Sequence, residues 1–138
     1  MNSVNLPREI AEAVNFRWLG GAHHMLLEPI LPAGFEQADE IVRAVLPGFL
    51  SVGQWAEITG LTDNIVVRRS YGTDLRAVNF RKSAWPDAGG NVGISIEDGT
   101  DNELLMSELQ FLALAAHWLG ALRDGAVESG DPATAAAW

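Results

Sequence analysis

Three histidines, a string of acids and a glycine-rich stretch are the residues whose types and spacing could do chemistry. His23 and His24 are adjacent, so they point to opposite faces of a strand or diverge by about 100° on a helix, and neither geometry lets both hold one metal. His117 is the third, and no H-x-H or H-x-x-x-H spacing occurs. Set among Leu114, Trp118 and Ala121, it reads as a hydrogen-bonded structural histidine rather than a metal ligand or an acid–base group. The acids Glu97, Asp98, Asp101 and Glu103 around Gly99 miss the alternating oxygen-ligand spacing of a calcium loop. Gly89-Gly90-Asn91-Val92-Gly93 has no following Lys-Ser/Thr and leads into a strand, so it does not read as a phosphate loop. With no cysteine, thiolate nucleophiles, disulfides, iron–sulfur clusters and cysteine-based zinc sites are excluded. No nucleophile elbow and no glycosidase-like acid pair stands out. No catalytic residue, cofactor or metal is therefore expected.

Charge says more. The chain of 138 residues has a net charge of −9, which argues against general binding to nucleic acid or anionic membranes. Residues 1–60 carry −4, 61–82 carry +3 and 83–138 carry −8. The one positive segment holds Arg68, Arg69, Arg76 and Arg81. These arginines, with Glu97, Asp98 and Asp101 as acidic counterparts on a neighbour, are the expected protein-interface residues. The N-terminus lacks the basic start and apolar stretch of a signal peptide, and no apolar run is long enough to span a membrane.

The elements that would position these groups follow from periodicity. A short helix is predicted over Asn5–Val14, with Asn5 as cap and Pro7 in the first turn, followed by strand-like alternation from Phe16 to Leu19. Phe35, Ala38, Ile41, Val42, Val45 and Leu46 recur at helical period, and Pro47-Gly48 predicts the end of that helix. An extended segment over Phe49–Ile58 comes next. Asn64–Tyr71 and Leu75–Lys82 then read as a hairpin joined by Gly72-Thr73-Asp74. Val92, Ile94 and Ile96 predict a third strand beside it. Thr100 and Glu103 have the spacing of a capping box, which predicts a last helix from Thr100 to about Asp124, stopped at Gly125. Its apolar residues fill two rows, one of Leu105, Leu109, Leu112, Ala116 and Leu119, the other of Leu104, Phe111, Ala115, Trp118 and Leu122. Two rows predict burial on two sides, within the domain or against another subunit, and make Trp118 an interface candidate. The expected whole is a single α+β domain over 1–125, with 1–35 as an N-terminal extension and 126–138 as a tail. Its small antiparallel or mixed sheet is built on the central hairpin and packed against an amphipathic helix and a long C-terminal helix.

From Glu36 to Asp124 this order is similar to the tail terminator (tail completion) proteins of long-tailed phages. The resemblance is carried by the amphipathic helix ending in Leu46-Pro47-Gly48 and by a strand followed by an alanine-rich helix. Its third support is Ile65-Val66-Val67-Arg68-Arg69-Ser70-Tyr71-Gly72-Thr73-Asp74-Leu75, which looks like that family's strand and turn. The resemblance implies a non-enzymatic virion subunit, a homo-oligomeric ring at the head-proximal end of the tail, and contacts with tail-tube and connector proteins. It also implies residence in the virion, or in the host cytoplasm during assembly. Two other readings stay open. One is a small acidic toxin-neutralising protein of the immunity type. The other is a helix-turn-helix regulator, in which Gln54–Leu61 and Asn64–Arg69 form the two helices and Arg68 and Arg69 touch DNA.

Overall fold

The computed structural model describes residues 3–19, 27–51, 55–73, 75–81 and 90–128, of which 55–59 and 126–128 are described by backbone alone. His23, His24 and Lys82, most of the tail and the end of the glycine-rich stretch at Gly89 lie outside the described residues.

The architecture is α+β. Strands β1 (Ser3–Asn5), β4 (Tyr71–Gly72), β5 (Arg76–Arg81), β6 (Asn91–Ile96) and β7 (Glu103–Ser107) form one mixed sheet in the order β1-β7-β6-β5-β4. β1 runs parallel to β7 and the other neighbours are antiparallel. A second sheet pairs β2 (Asn15–Trp18) with β3 (Leu27–Ile30), as the alternation at Phe16 had suggested for β2. The helices are α1 (Arg8–Ala13), α2 (Glu40–Leu50), α3 (Trp55–Val66) and α4 (Glu108–Glu128), with a 3-10 turn at Phe35–Gln37 ahead of α2.

The registers sort the large sheet into two faces. Val78 opposes Ile94 and Ile94 opposes Leu104, while Val92 opposes Met106 and Val4 opposes Leu104. All but the half-buried Val4 are fully buried, and they make one face. Residues α2, α3 and α4 contribute all meet this face. Gly48 of α2 sits against Ile96, Phe111 of α4 packs edge-on to Phe80, and Gly60 of α3 is approached by the Tyr71 hydroxyl. The β2–β3 hairpin covers the helices from outside, with Phe16 on His117 at 5.0 Å between ring centroids and Trp18 lying against Gly125. Leu6, Val14 and Leu27 belong to the same core as α2 and α4, so the described stretches 3–19 and 27–35 contribute to the packing of the domain.

Several local expectations are corrected. α2 runs through Pro47 to Leu50. Proline in a helix removes one hydrogen bond and costs about 3 kcal/mol, but stopping there would expose Phe49 and Leu50, both buried. Where an extended segment over 49–58 was expected, residues 49–50 end α2 and 55–58 begin α3, and 52–54 lie outside the described residues. Asn64 to Val66 close α3 and do not form a strand, because Leu61 and Ile65 fall on one buried helical face. Of the hairpin, the second strand forms and the Thr73 amide donates to the Arg76 carbonyl, but β4 has only two residues and Asp74 lies outside the described residues. The first helix begins at Arg8 with no side-chain cap, because Asn5 is engaged in β1.

Thr100 does not start the last helix. Its amide and hydroxyl both donate to Asp98 Oδ1, at 3.0 and 2.6 Å, forming a closed turn, and Glu103–Ser107 continue as β7. The helix begins one element later, where Ser107 Oγ accepts the Gln110 amide at 3.1 Å. Ser107 and Gln110 have the same capping-box spacing as Thr100 and Glu103. Leu104 and Leu105 therefore leave the two helical rows. α4 passes through Gly125, and only the row of Phe111, Ala115, Trp118 and Leu122 is buried, whereas Leu109 is 82% exposed.

Candidate partner-binding surface

Alternation places Arg76 in phase with Val78 and Phe80, on the helix-covered face of β5. Arg76 is accordingly 4% exposed. Its Nη1 donates to the Phe49 carbonyl at 2.6 Å and its Nη2 to the Ser51 carbonyl at 2.7 Å, with the guanidinium 5.8 Å from the Phe49 ring and 5.7 Å from the Trp118 ring. Between those carbonyls, the Leu50 oxygen accepts Trp118 Nε1–H at 2.9 Å. A guanidinium at the carbonyl end of a helix is favoured by both the hydrogen bonds and the dipole. Neither residue is an interface residue: Arg76 caps α2, and Trp118 is 1% exposed in a single chain, so no second subunit is needed to bury it.

The opposite face of the sheet carries Asn5, Ala77, Asn79, Arg81, Gly93, Ser95, Glu103 and Leu105. Here Glu103 lies flat over Gly93, where a Cβ would collide with its carboxylate. Arg81 grips that carboxylate with two bonds of 2.7 and 2.9 Å, and Asn79 adds a third at 3.3 Å. Glu103 is 4% exposed, and the Arg81 side chain is 44% exposed. The fork satisfies the buried carboxylate, which explains why a charged group is tolerated on this strand.

Arg68 stands at the end of α3 with φ 53°, the left-handed region. The Arg68 amide donates to Ile65 O and the Arg69 amide to Asn64 O, which is the Schellman pattern, with arginine where glycine is usual. Its side chain reaches Glu108 at 3.2 Å. Val66 and Val67 beside it are 64% and 57% exposed, and Leu109 follows Glu108. An open groove of about 570 Å³ runs from Leu109 between α1 and α4 past Arg8, Glu12, Gln110 and His117. His117 Nε2 faces the Val14 carbonyl at 3.2 Å, the structural role expected for it.

Of the expected interface residues, the fold thus brings Arg81 to Glu103 and Arg68 to Glu108, turns Arg76 inward, and leaves Arg69, Glu97, Asp98 and Asp101 exposed. Arg8, Arg17 and Arg123 also hold carboxylates of their own chain, Glu12, Glu28 and Asp124, at 2.7, 3.4 and 3.6 Å. Exposed acids gather at two places, Glu36, Asp39 and Glu40 ahead of and within α2, and Glu97, Asp98 and Asp101 in the β6–β7 turn. The Thr100 hydroxyl, then its amide, holds the Asp98 carboxyl below the usual carboxylate value. Among the described residues no cluster of histidines and acids has the arrangement of a metal site, and no helix is long and apolar enough to cross a membrane. Comparisons with protein-family models, with curated proteins and with solved structures find no match for this chain.

The inward turn of Arg76 was readable from its phase with Val78 and Phe80. The roles of Glu103 and Gly93 were not, since they depend on which strands become neighbours.

Proposed function

We propose that this chain is a non-enzymatic binding protein that presents an acidic surface to a basic macromolecular partner, as a toxin-neutralising protein of the immunity type does. The observation that carries the reading is the internal use of the arginines. Three of the four arginines of the positive segment are engaged within the chain, Arg76 under Trp118, Arg81 on Glu103 and Arg68 on Glu108. Carboxylates in the β6–β7 turn and around the start of α2 are what an approaching partner meets, and such a field steers a basic protein and raises its association rate. The test is binding of a basic protein probe to the wild type and to a triple variant, Glu97→Lys, Asp98→Lys and Asp101→Lys. The reading expects salt-sensitive association that slows markedly in the variant; equal binding by both proteins would refute it.

A ring-forming subunit at the head-proximal end of a phage tail, in contact with tail-tube and connector proteins, is the second reading. It is favoured by the placement of all three longer helices on one sheet face, and by the exposed Val66, Val67 and Leu109 around the Arg68–Glu108 pair. Its sequence support is narrower than the resemblance implied, because Ile65 and Val66 are helical and β4 is short. Light scattering over a range of concentrations decides: a stable ring supports this reading and a monomer supports the first. The helix-turn-helix alternative draws no support from Trp55–Val66, which is one uninterrupted helix.

A further inference from the structure

The dipeptide Asp-Gly occurs twice among the described residues, at Asp98-Gly99 and Asp124-Gly125, in opposite settings. Asp124-Gly125 lies inside α4, where the backbone is fixed by helical hydrogen bonds and Trp18 packs on Gly125. Asp98-Gly99 lies in the exposed β6–β7 turn. Gly99 has φ +81°, and apart from Asp98, Thr100 and Gly99 itself no heavy atom of the described residues lies within 4 Å of where its side chain would begin. One contact restrains the Asp98 side chain from beyond the dipeptide: Thr100, whose hydroxyl and amide both hold Oδ1.

We propose that Asp98 is a site of spontaneous isoaspartate formation and that the Thr100 hydroxyl sets its rate. In the first step the Gly99 amide nitrogen, losing its proton to solvent, attacks Cγ of Asp98. A carbon–nitrogen bond forms, a carboxyl carbon–oxygen bond breaks, and that oxygen leaves as water, giving a five-membered succinimide. Water then opens the ring. Attack at the α-carbonyl breaks its bond to nitrogen and leaves the main chain running through Cγ, one methylene longer and unchanged in mass from the original chain. The open space at Gly99 gives the ring room to close, which the interior of α4 denies to Asp124.

Thr100 opposes the first step in two ways. It pins the carboxylate in one orientation, and by stabilising the ionised form it reduces the protonated fraction, the form from which water can leave. The product would lengthen the turn that joins β6 to β7 and displace Glu97, Asp98 and Asp101.

The test is incubation of the full chain at mildly acidic and at neutral pH. Isoaspartate is then located by methyltransferase labelling and by fragmentation of the peptide between the cleavage sites at Lys82 and Arg123. Thr100→Val is expected to accumulate isoaspartate at position 98 several-fold faster than the wild type at mildly acidic pH, while Thr100→Ser, which keeps the hydroxyl, holds the wild-type rate. Asp98→Asn, which closes the same ring with loss of ammonia and needs no protonated carboxyl, is expected to convert readily at neutral pH. Equal rates in Thr100→Val and the wild type, a Thr100→Ser variant as fast as Thr100→Val, or no conversion of Asp98→Asn would each overturn the proposal. So would isoaspartate forming at Asp124 as fast as at Asp98.

Discussion

Arg76 and Trp118, from a strand and a helix 42 residues apart in sequence, close the same helix end: together they take the carbonyls of Phe49, Leu50 and Ser51. α2 is thereby tied to β5 and α4 at a single point. Each carbonyl left without a donor in a buried setting costs about 1–3 kcal/mol. Trp118→Phe, which keeps most of the ring packing and loses one donor, is expected to lower stability by about that amount. Arg76→Met removes two donors and is expected to cost more. Because the residues share one helix end, the double variant should depart from additivity by about 0.5–3 kcal/mol. Urea unfolding of the four proteins measures this through the midpoint at constant slope.

The Arg81–Glu103 fork is lopsided in exposure, and its two truncations should be unequal. Arg81→Ala strands a buried carboxylate on the sheet, whereas Glu103→Ala leaves an arginine that can turn into water. The first is expected to cost about 1–3 kcal/mol after solvent screening of the half-exposed arginine, and the second less than about 1 kcal/mol. Thermal melts at low and high salt check both the order and its weak salt dependence.

How much of this was legible in the sequence depends on the range of the interaction. β5, β6 and the Ile41, Val42, Val45 and Leu46 part of the α2 stripe are written in local alternation or period and stand where the residues place them, whereas Phe35 and Ala38 fall ahead of the helix. Two Ser/Thr-x-x-Glu/Gln boxes lie seven residues apart, at Thr100 and Ser107, and local chemistry does not choose between them. What chooses is the pairing of Leu104 and Met106 with Ile94 and Val92, which makes the intervening residues a strand. The parallel match of Ser3–Asn5 to Glu103–Leu105 spans about a hundred residues, and a three-residue strand has no periodicity of its own. At Ile65-Val66-Val67 β-branching argues for a strand, yet burial of Leu61 and Ile65 on one helix face outweighs a propensity of a few tenths of a kcal/mol, roughly, per residue. For the surface, net charge was legible, but not the internal pairing of the basic side chains.

Arg68 holds a backbone conformation that costs an L-residue about 1–2 kcal/mol and costs glycine little. Arg68→Ala keeps that strain and loses the exposed pair with Glu108, worth about 0–1 kcal/mol. Arg68→Gly loses the same pair but relieves the strain. The glycine variant is expected to be more stable than the alanine variant by about 1 kcal/mol. Chemical denaturation should show that order; an alanine variant equal to glycine would mean that position 68 carries no strain.

Asp98 gives the stability of the chain an acid dependence whose sign is fixed by the downward shift of its carboxyl. With the folded value below the unfolded 3.8, the Thr100 bonds stabilise the fold fully above that pH, and the contribution is lost as pH falls through the lower folded value. Thr100→Val is therefore expected to flatten the acid limb of a stability–pH profile while leaving the slope near neutrality unchanged. Melting temperatures taken from pH about 2 to 7 read the difference directly.

Gly120 and Gly125 lie in the same helix and should answer the same substitution with opposite signs. Beyond its chain neighbours and the backbone of its own helix, no atom of the described residues stands near the position of a Cβ at Gly120, so Gly120→Ala adds only the lower conformational entropy of the unfolded chain and the better helix propensity of alanine. A gain of about 0.5–1 kcal/mol is expected. At Gly125 the added methyl would overlap the Trp18 ring, which the β2–β3 hairpin presses onto α4. The indole is large and held between a strand and a helix, so relief requires the hairpin to shift. Overpacking of this kind typically costs about 1–3 kcal/mol. Gly125→Ala is expected to be destabilising by about that amount and to alter the tryptophan fluorescence of the native state, whereas Gly120→Ala should leave the spectrum unchanged. If both variants gain stability, the hairpin does not rest on α4 at Gly125.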